Sequence, residues 1–385
     1  MALQEMSPEA YMRLLFEVYS NAFKLAYAGC SYRKLRSVHA EYNSQIDANA
    51  IYDARKFMKT VLKTHNYPKK LNPKPLLRKI DFKIVDNQLN IIYKPRTRLK
   101  LLVFPSGKQL KLMLEATPKG ARLIERDGKL FLNLILEKEV FLIPLEICRT
   151  IMGVDIGINY IAVASALTED GKFTNPVFFK GGEWRHLCDR KRKITRVKEY
   201  EHLTRRQREI LHTVSKRIVE YAKQFPKPII VIEKLGHFKN NSWNKRFNFL
   251  LGNWARKKLQ QMIEYKAKWE GIPVAYVNPA YTSLYCHCCG SKGIREGLTF
   301  KCQNCGRQYN ADANAAMNLA KRFRQLLDDA AKRMTGERSA RDMRSLAEGE
   351  TCLPRQTHAQ PGNGKQMNRM MVTRTVSLPL AVGGD

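Results

Sequence analysis

The stretch Lys301–Arg322, KCQNCGRQYNADANAAMNLAKR, decides how this chain is read. Cys302 and Cys305, two residues apart, end in Gly306 and run into a helical segment opened by one acid, Asp312. An earlier pair, Cys286 and Cys289, ends in Gly290, and twelve residues separate the two pairs. Four thiolates in two such knuckles hold one Zn²⁺ tetrahedrally, as a closed structural site with no position left for a substrate. His287 and Cys288 lie inside the first knuckle, but the regular pairs favour Cys286, Cys289, Cys302 and Cys305 as ligands. The ribbon therefore positions the helix that follows it, and the acid on that helix is left for chemistry.

Working outward, two more carboxylates stand at the ends of apolar strands. Asp155 lies in GVDIG, and Glu233 ends IVIEKL. A carboxylate in an apolar strand costs desolvation unless something compensates it. Taken singly, each acid has an ordinary reading: a turn residue, a strand-end surface acid, a helix N-cap. Taken together they suit Mg²⁺, which accepts a few hard carboxylate oxygens and leaves its other positions to water and phosphate. Two such ions roughly 3.5 to 4 Å apart activate water and stabilise the leaving oxygen in phosphodiester hydrolysis. Asp155, Glu233 and Asp312 are thus the expected catalytic and Mg²⁺-binding residues.

The chain has 385 residues, with 68 Lys and Arg against 35 Asp and Glu, a formal net charge of +33. Such an excess is matched by a polyanion, most commonly nucleic acid. Between Arg185 and Lys223 there are 13 basic and 5 acidic residues, a local excess of +8. Candidate phosphate-backbone contacts are Arg190, Lys191, Arg192, Lys193 and Arg196, then Arg205, Arg206 and Arg208; the plainer reading is a solvated helix face. Trp243, Phe247 and Trp254 could stack on bases, although their helical spacing suits core packing better. The first residues, MALQEMSPEAYMR, lack a basic start followed by an apolar run, so no secretory leader is expected. No apolar run reaches the roughly 18 to 20 residues of a membrane helix. Five of nine cysteines fall within Cys286–Cys305, which reads as metal binding in a reducing, cytoplasmic setting.

Patterning predicts a multidomain α+β chain. Residues 1–76 read as a helical lobe: SPEAYMRLLFEVYSNAF is a capped amphipathic helix, and a second helical run covers Tyr32 to Thr64. Residues 77–147 read as a small β-barrel of short strands, among them LNIIY, LKLLVF, LKLMLEA and LFLNLILEKEVFLI. Residues 148–280 read as an α/β core: IMGVDIGINYIAVASA as two strands, Trp184 to Gln224 as a long basic helical region, PKPIIVIEKL and IPVAYV as strands. The ribbon spans 281–308 and the final helix 309–334. The tail, 335–385, is polar with scattered Gly and Pro and is predicted to be disordered.

The acids in the order Asp, Glu, Asp, with a four-cysteine ribbon just before the last, resemble the RuvC-type nuclease core of TnpB proteins. The segments carrying the resemblance are GVDIGINYIAVAS, HTVSKRIVEYA, IVIEKL, YKAKWEGIPVAYVNPAYTSLYCHCCG and FKCQNCGRQYNADANAAMNLA, from about Ile151 to Lys321. The resemblance implies an RNase H-like fold in which Asp155, Glu233 and Asp312 bind Mg²⁺ and cut DNA. It implies a bound guide RNA, a double-stranded target DNA with a short flanking motif, a helical recognition lobe and a β-barrel wedge domain. Family members usually begin with a short barrel strand, whereas this chain starts directly with a helix, so either that strand is missing or the start is truncated. A miniature CRISPR effector shares the same chemistry. A non-cutting RNA-guided repressor would have lost the acids present here. Cut-and-paste transposases order their acids Asp, Asp, Glu, and a zinc-ribbon transcription factor leaves the three acids unexplained.

Overall fold

The structure, a computed structural model, describes residues 8–28, 31–38, 44–64, 73–94, 97–126, 129–157, 159–234, 256–278, 280–335 and 368–381. These fall into two compact units: residues 1–139 with 371–385, and residues 140–370.

The first unit opens with helices α1 (Pro8–Tyr27), α2 (Tyr32–Val38) and α3 (Ser44–Thr64). Strands β1 (Leu76–Arg78), β2 (Phe82–Val85), β3 (Gln88–Lys94) and β4 (Thr97–Val103) follow, then helix α4 (Gly107–Glu115). Strands β5 (Thr117–Arg126) and β6 (Lys129–Leu142) come next. Helices and sheet are joined by buried polar contacts. Arg122 donates twice to the Asp53 carboxylate, at 2.6 and 2.7 Å, and Tyr19 Oη donates to it at 2.7 Å. Asn49 Nδ2 donates to Asp81 at 2.8 Å.

Two expectations fail here. LKLMLEA was assigned to a strand, but residues 107–115 are helical. Ser106 lies three residues before Gln109, whose Oε1 accepts the Ser106 backbone N–H at 2.7 Å, so a capping box starts a helix where the apolar pattern alone suggests a strand. The tail is not disordered throughout: Asn368–Ala381 form a further strand, the last in the chain. It enters a seven-stranded sheet of order β1-β5-β6-(368–381)-β4-β3-β2, antiparallel to β4 with Leu380 opposite Val103. The physical reason is alternation: Val372, Val376 and Leu378 are buried while Met371, Thr373 and Thr375 are exposed. A strand from late in the chain thus takes an interior position of the sheet, between β6 and β4.

The second unit is built on strands β7 (Thr150–Asp155), β8 (Tyr160–Leu167), β9 (Val177–Lys180), β10 (Pro228–Glu233) and β11 (Val274–Val277), in the order β11-β10-β7-β8-β9. β7, β10 and β11 run parallel; β8 and β9 alternate in direction beside them. The basic helical region breaks at residues 194–196 into α5 (Gly182–Lys193) and α6 (Val197–Ala222). With α7 (Arg256–Trp269) these cover one face, packing Leu211, Ile218, Leu259 and Ile263 on Met152, Val154 and Ile232. The other face takes α8 (Ala311–Thr335), which packs Leu319, Ala320 and Phe323 on Ile151, Val231 and Ala275. The central strand residues are apolar on both sides because both faces are covered. Between β11 and α8 lies a three-stranded antiparallel sheet of β12 (Gly293–Glu296), β13 (Thr299–Cys302) and β14 (Gln308–Asn310). This last strand, 368–381, is β15. Among the described residues no helix is long and apolar enough to cross a membrane.

Candidate metal centres

The three acids come from three elements of the second unit. Asp155 ends β7, whose other residues are all buried. Glu233 ends the neighbouring parallel strand β10, one residue beyond the pair Ile232–Val154. Asp312 is the second residue of α8 and is 4% exposed; Glu233 is 8% exposed. Gly153 is why the helix can come so close. A Cβ there would lie 1.9 Å from the carbonyl oxygen of Ala316, so any side chain would push α8 off the strand. Ala316 and Ala320 are the residues of α8 whose backbone meets Gly153.

The cap of α8 is Asn310, not Asp312. Asn310 Oδ1 accepts the backbone N–H groups of Asp312 and Ala313, both at 3.1 Å. The Asp312 carboxylate is therefore released from capping, while its place in the first turn favours its negative charge.

Two arginines that sequence reasoning missed stand against these acids. Arg256, the first residue of α7, pairs with Glu233. Arg295 on β12 places Nη2 2.9 Å from Asp312 Oδ1. Nothing in their spacing marks them, since Arg256 sits in a basic run and Arg295 in an exposed hairpin; only the fold brings them in. Among the described residues no such ion pair reaches Asp155. Burial, and next the charge of Asp312, push its carboxyl up from 3.8 to about 7, while Arg256 and Arg295 pull the other way. Buried carboxylates drawn together from separate elements are a donor set that suits a hard divalent cation.

The four cysteines are brought together as expected. The Sγ atoms of Cys286, Cys289, Cys302 and Cys305 all lie within 4.8 Å of one another. Cys286 and Cys305 are 3.8 Å apart, and Cys289 and Cys302 3.4 Å. Zn–S bonds of about 2.3 Å in a tetrahedron separate sulfurs by roughly 3.8 Å, so the set fits Zn²⁺. Gly290 and Gly306 close the knuckles at φ of 75° and 69°, the left-handed conformation that glycine adopts without strain. His287 is held elsewhere: its backbone N–H donates to Asn314 Oδ1 at 3.0 Å, and its ring meets Tyr309 edge-on at 4.3 Å between centroids. Cys288 Sγ accepts from Arg307 Nη1 at 3.0 Å.

Of the eight basic candidates, Arg190, Arg192, Lys193, Arg196, Arg205, Arg206 and Arg208 are exposed on α5, α6 and the break between them. Lys191 is not: it is buried, its Nζ donating to Gln207 Oε1 at 3.1 Å and standing 4.3 Å from the Tyr200 ring centroid. It faces α6 because it falls one turn along α5 from the buried Leu187 and Cys188. It packs the two helices together and, being buried, does not face solvent where a phosphate backbone could reach it. Arg206 is engaged by Glu183 at 2.9 Å and Glu209 at 3.3 Å. Trp243, Phe247 and Trp254 lie outside the described residues.

Comparison with known proteins places this geometry. Residues 257–319 match the family model described as Cas12f1-like, TNB domain. The TnpB-like protein MJ0751 of Methanocaldococcus jannaschii is 38% identical over 121 residues, 31% of this chain and 43% of the relative. A CRISPR-associated endodeoxyribonuclease Cas12f1 of Sulfoacidibacillus thermotolerans is 41% identical over 112 residues, 28% of this chain and 25% of that protein. Both matches thus span less than half of the relative's own length. A solved Cas12f1-sgRNA-target DNA complex shares the fold, with a TM-score of 0.56 and 15% identity over 82% of this chain and 83% of that one. The chain is thus similar over part of its length to TnpB-like proteins and to Cas12f endodeoxyribonucleases, and it shares the fold of the solved Cas12f1 complex.

Proposed function

We propose that this protein is an RNA-guided DNA endonuclease of the TnpB type. The observation that carries the reading is the convergence of Asp155, Glu233 and Asp312 from β7, β10 and α8. On this reading the second unit is an RNase H-like (RuvC) nuclease core with an inserted zinc ribbon, and the first unit joins a recognition lobe to a wedge barrel. The named endodeoxyribonucleases among the relatives support cleavage, and the solved complex with guide and target DNA supports the choice of partners. The charge of +33 supports a polyanionic partner held by its backbone rather than its bases.

Asp155, Glu233 and Asp312 would hold Mg²⁺. When bound, Mg²⁺ supplies a hydroxide nucleophile near neutral pH and charge stabilisation for the leaving oxygen. Asp155 holds a proton up to about pH 7 and gives it up on loading. Arg256 and Arg295 neutralise Glu233 and Asp312 in the ion-free protein. Freed on loading, they offer planar forks that suit phosphate oxygens. The exposed arginines and lysines of α5 and α6 contact the nucleic-acid backbone.

The test is to express the chain with its native flanking DNA, purify it, and sequence the RNA that accompanies it. A discrete RNA ending in a variable segment is expected. Heterogeneous cellular RNA would contradict RNA guidance and leave loose polyanion binding.

A further inference from the structure

A set of hydrogen bonds between the ribbon and α8 serves neither group of metal-type ligands directly. Asn314, fully buried, lies two residues beyond Asp312. Its Oδ1 accepts the backbone N–H of His287 at 3.0 Å and sits 3.0 Å from the same residue's Nδ1. Its Nδ2 donates to the carbonyl of Tyr285 at 2.8 Å. One turn later Asn318 Nδ2 donates to the carbonyls of Thr282 and Tyr285, at 2.8 and 2.7 Å. Tyr285 and His287 are the two neighbours of Cys286. The backbone on both sides of a thiolate ligand is therefore gripped by the helix that presents a catalytic-type acid.

Asparagine inside a helix is a poor choice on propensity, because its side chain competes for backbone partners. Here both ends of the Asn314 carboxamide are spent on knuckle backbone, on the helix face turned toward the ribbon. The same interface is closed at Leu298, whose carbonyl accepts the Ala311 N–H at 2.7 Å, and at Arg295, which reaches Asp312. A knuckle without its metal has no covalent reason to keep its backbone in this shape.

We propose that Asn314 is a positioning residue that couples the two metal sites. Zinc fixes the backbone from Tyr285 to His287, Asn314 transmits that position to the first turn of α8, and Asp312 is thereby held for a divalent ion. The proposal rests on the reading of Asp155, Glu233 and Asp312 as one carboxylate site. Coupling of this kind is reciprocal: if zinc raises the affinity for the divalent ion by some factor, the ion raises the affinity for zinc by the same factor.

The test uses the full chain and Mn²⁺ as the probe. Mn²⁺ affinity is measured from the electron paramagnetic resonance signal of the free ion, with zinc loaded and with zinc stripped. Zinc release to a chromogenic chelator is followed with and without Mn²⁺. Zinc removal should weaken Mn²⁺ binding at least about fivefold, and saturating Mn²⁺ should tighten zinc by a like factor. Asn314→Ala should bind Mn²⁺ weakly whether or not zinc is present. A residue that merely stabilised the fold would not abolish this dependence of one metal on the other. Equal Mn²⁺ affinity in zinc-loaded and zinc-stripped wild type, or a zinc effect that survives in Asn314→Ala, overturns the proposal. Should Asn314→Ala fail to fold, Asn318→Ala removes two of the knuckle bonds; coupling at the wild-type value there also overturns it. Asp155→Ala separates the two readings. Mn²⁺ binding untouched by that substitution, or absent from the wild type, defeats the carboxylate site itself. Binding that is lost with Asp155 yet indifferent to zinc defeats only the coupling.

Discussion

The ribbon and the five-stranded core assemble their candidate ligands in opposite ways. The ribbon gathers four soft thiolates from twenty consecutive residues around a small apolar cluster of Phe300, Ala311 and two of the cysteines themselves. So short a segment buries little surface, and a Zn²⁺ held there would contribute much of its folding free energy. The core gathers three hard carboxylates from residues as far apart as Asp155 and Asp312, and it does so by packing. Strands buried on both faces and a glycine that admits a helix bring them together. The difference shows which parts of a site a sequence can announce: local ligand sets carry their own spacing, and assembled ones carry only their residue types.

The largest effect that would sharpen this contrast comes from Cys302→Ser, or from chelation of zinc. The ribbon should lose its amide protection in hydrogen exchange and cleavage should be abolished, while β7, β8 and β10 keep theirs. Loss of protection throughout the sheet would erase the distinction between the regions. Gly153→Val acts on the core from the opposite side. With the Ala316 carbonyl 1.9 Å from the new Cβ, it should cost about 3 kcal/mol by denaturant titration, and zinc content should be retained.

The pH dependence sharpens the contrast further. The folded pKa of Asp155 is raised, so the metal-free protein is favoured by the protonated acid. That stability is fully present below its ordinary value of 3.8 and is lost as pH rises to about 7, by at most about 1.4 kcal/mol per pH unit. Divalent binding runs the other way: affinity should climb with pH, up to tenfold per unit, and level off above about 7. Asp155→Asn should flatten the stability profile of the metal-free protein, as read from melting temperatures. The smallest effect is on the basic face. Arg192→Ala with Lys193→Ala should lower the salt slope of nucleic-acid binding by about 2 and leave stability alone. Lys191→Ala should do the reverse, since that lysine is packed between helices.

Much of this was legible in the sequence, for physical reasons that differ by element. The cysteine spacing and the acids at strand ends and a helix start were readable because each motif is local. The helix α4 was misread because its apolar residues suit a strand as well as a helix, and the deciding signal was the polar pair Ser106 and Gln109. The strand β15 is hidden in the sequence because Met370 and Met371 are exposed and Arg374 stands between the buried Val372 and Val376, which blurs the alternation. Arg256 and Arg295 could not be found at all, since a cation gains a role at a carboxylate only when distant segments meet. Lys191 shows the converse: a charge run reads as surface until the helix phase turns one member inward.

The central claim is that three carboxylates assembled by packing do the cutting. It is tested most directly by the cleavage rate of a guide-matched duplex, with Mg²⁺, by the wild-type complex and by Asp155→Ala, Glu233→Ala and Asp312→Ala. Each variant should keep its zinc and its RNA and lose roughly 10³-fold or more in rate, the loss of several kcal/mol of transition-state stabilisation. Cleavage at the wild-type rate by any one of the three, with RNA and zinc intact, would contradict the account.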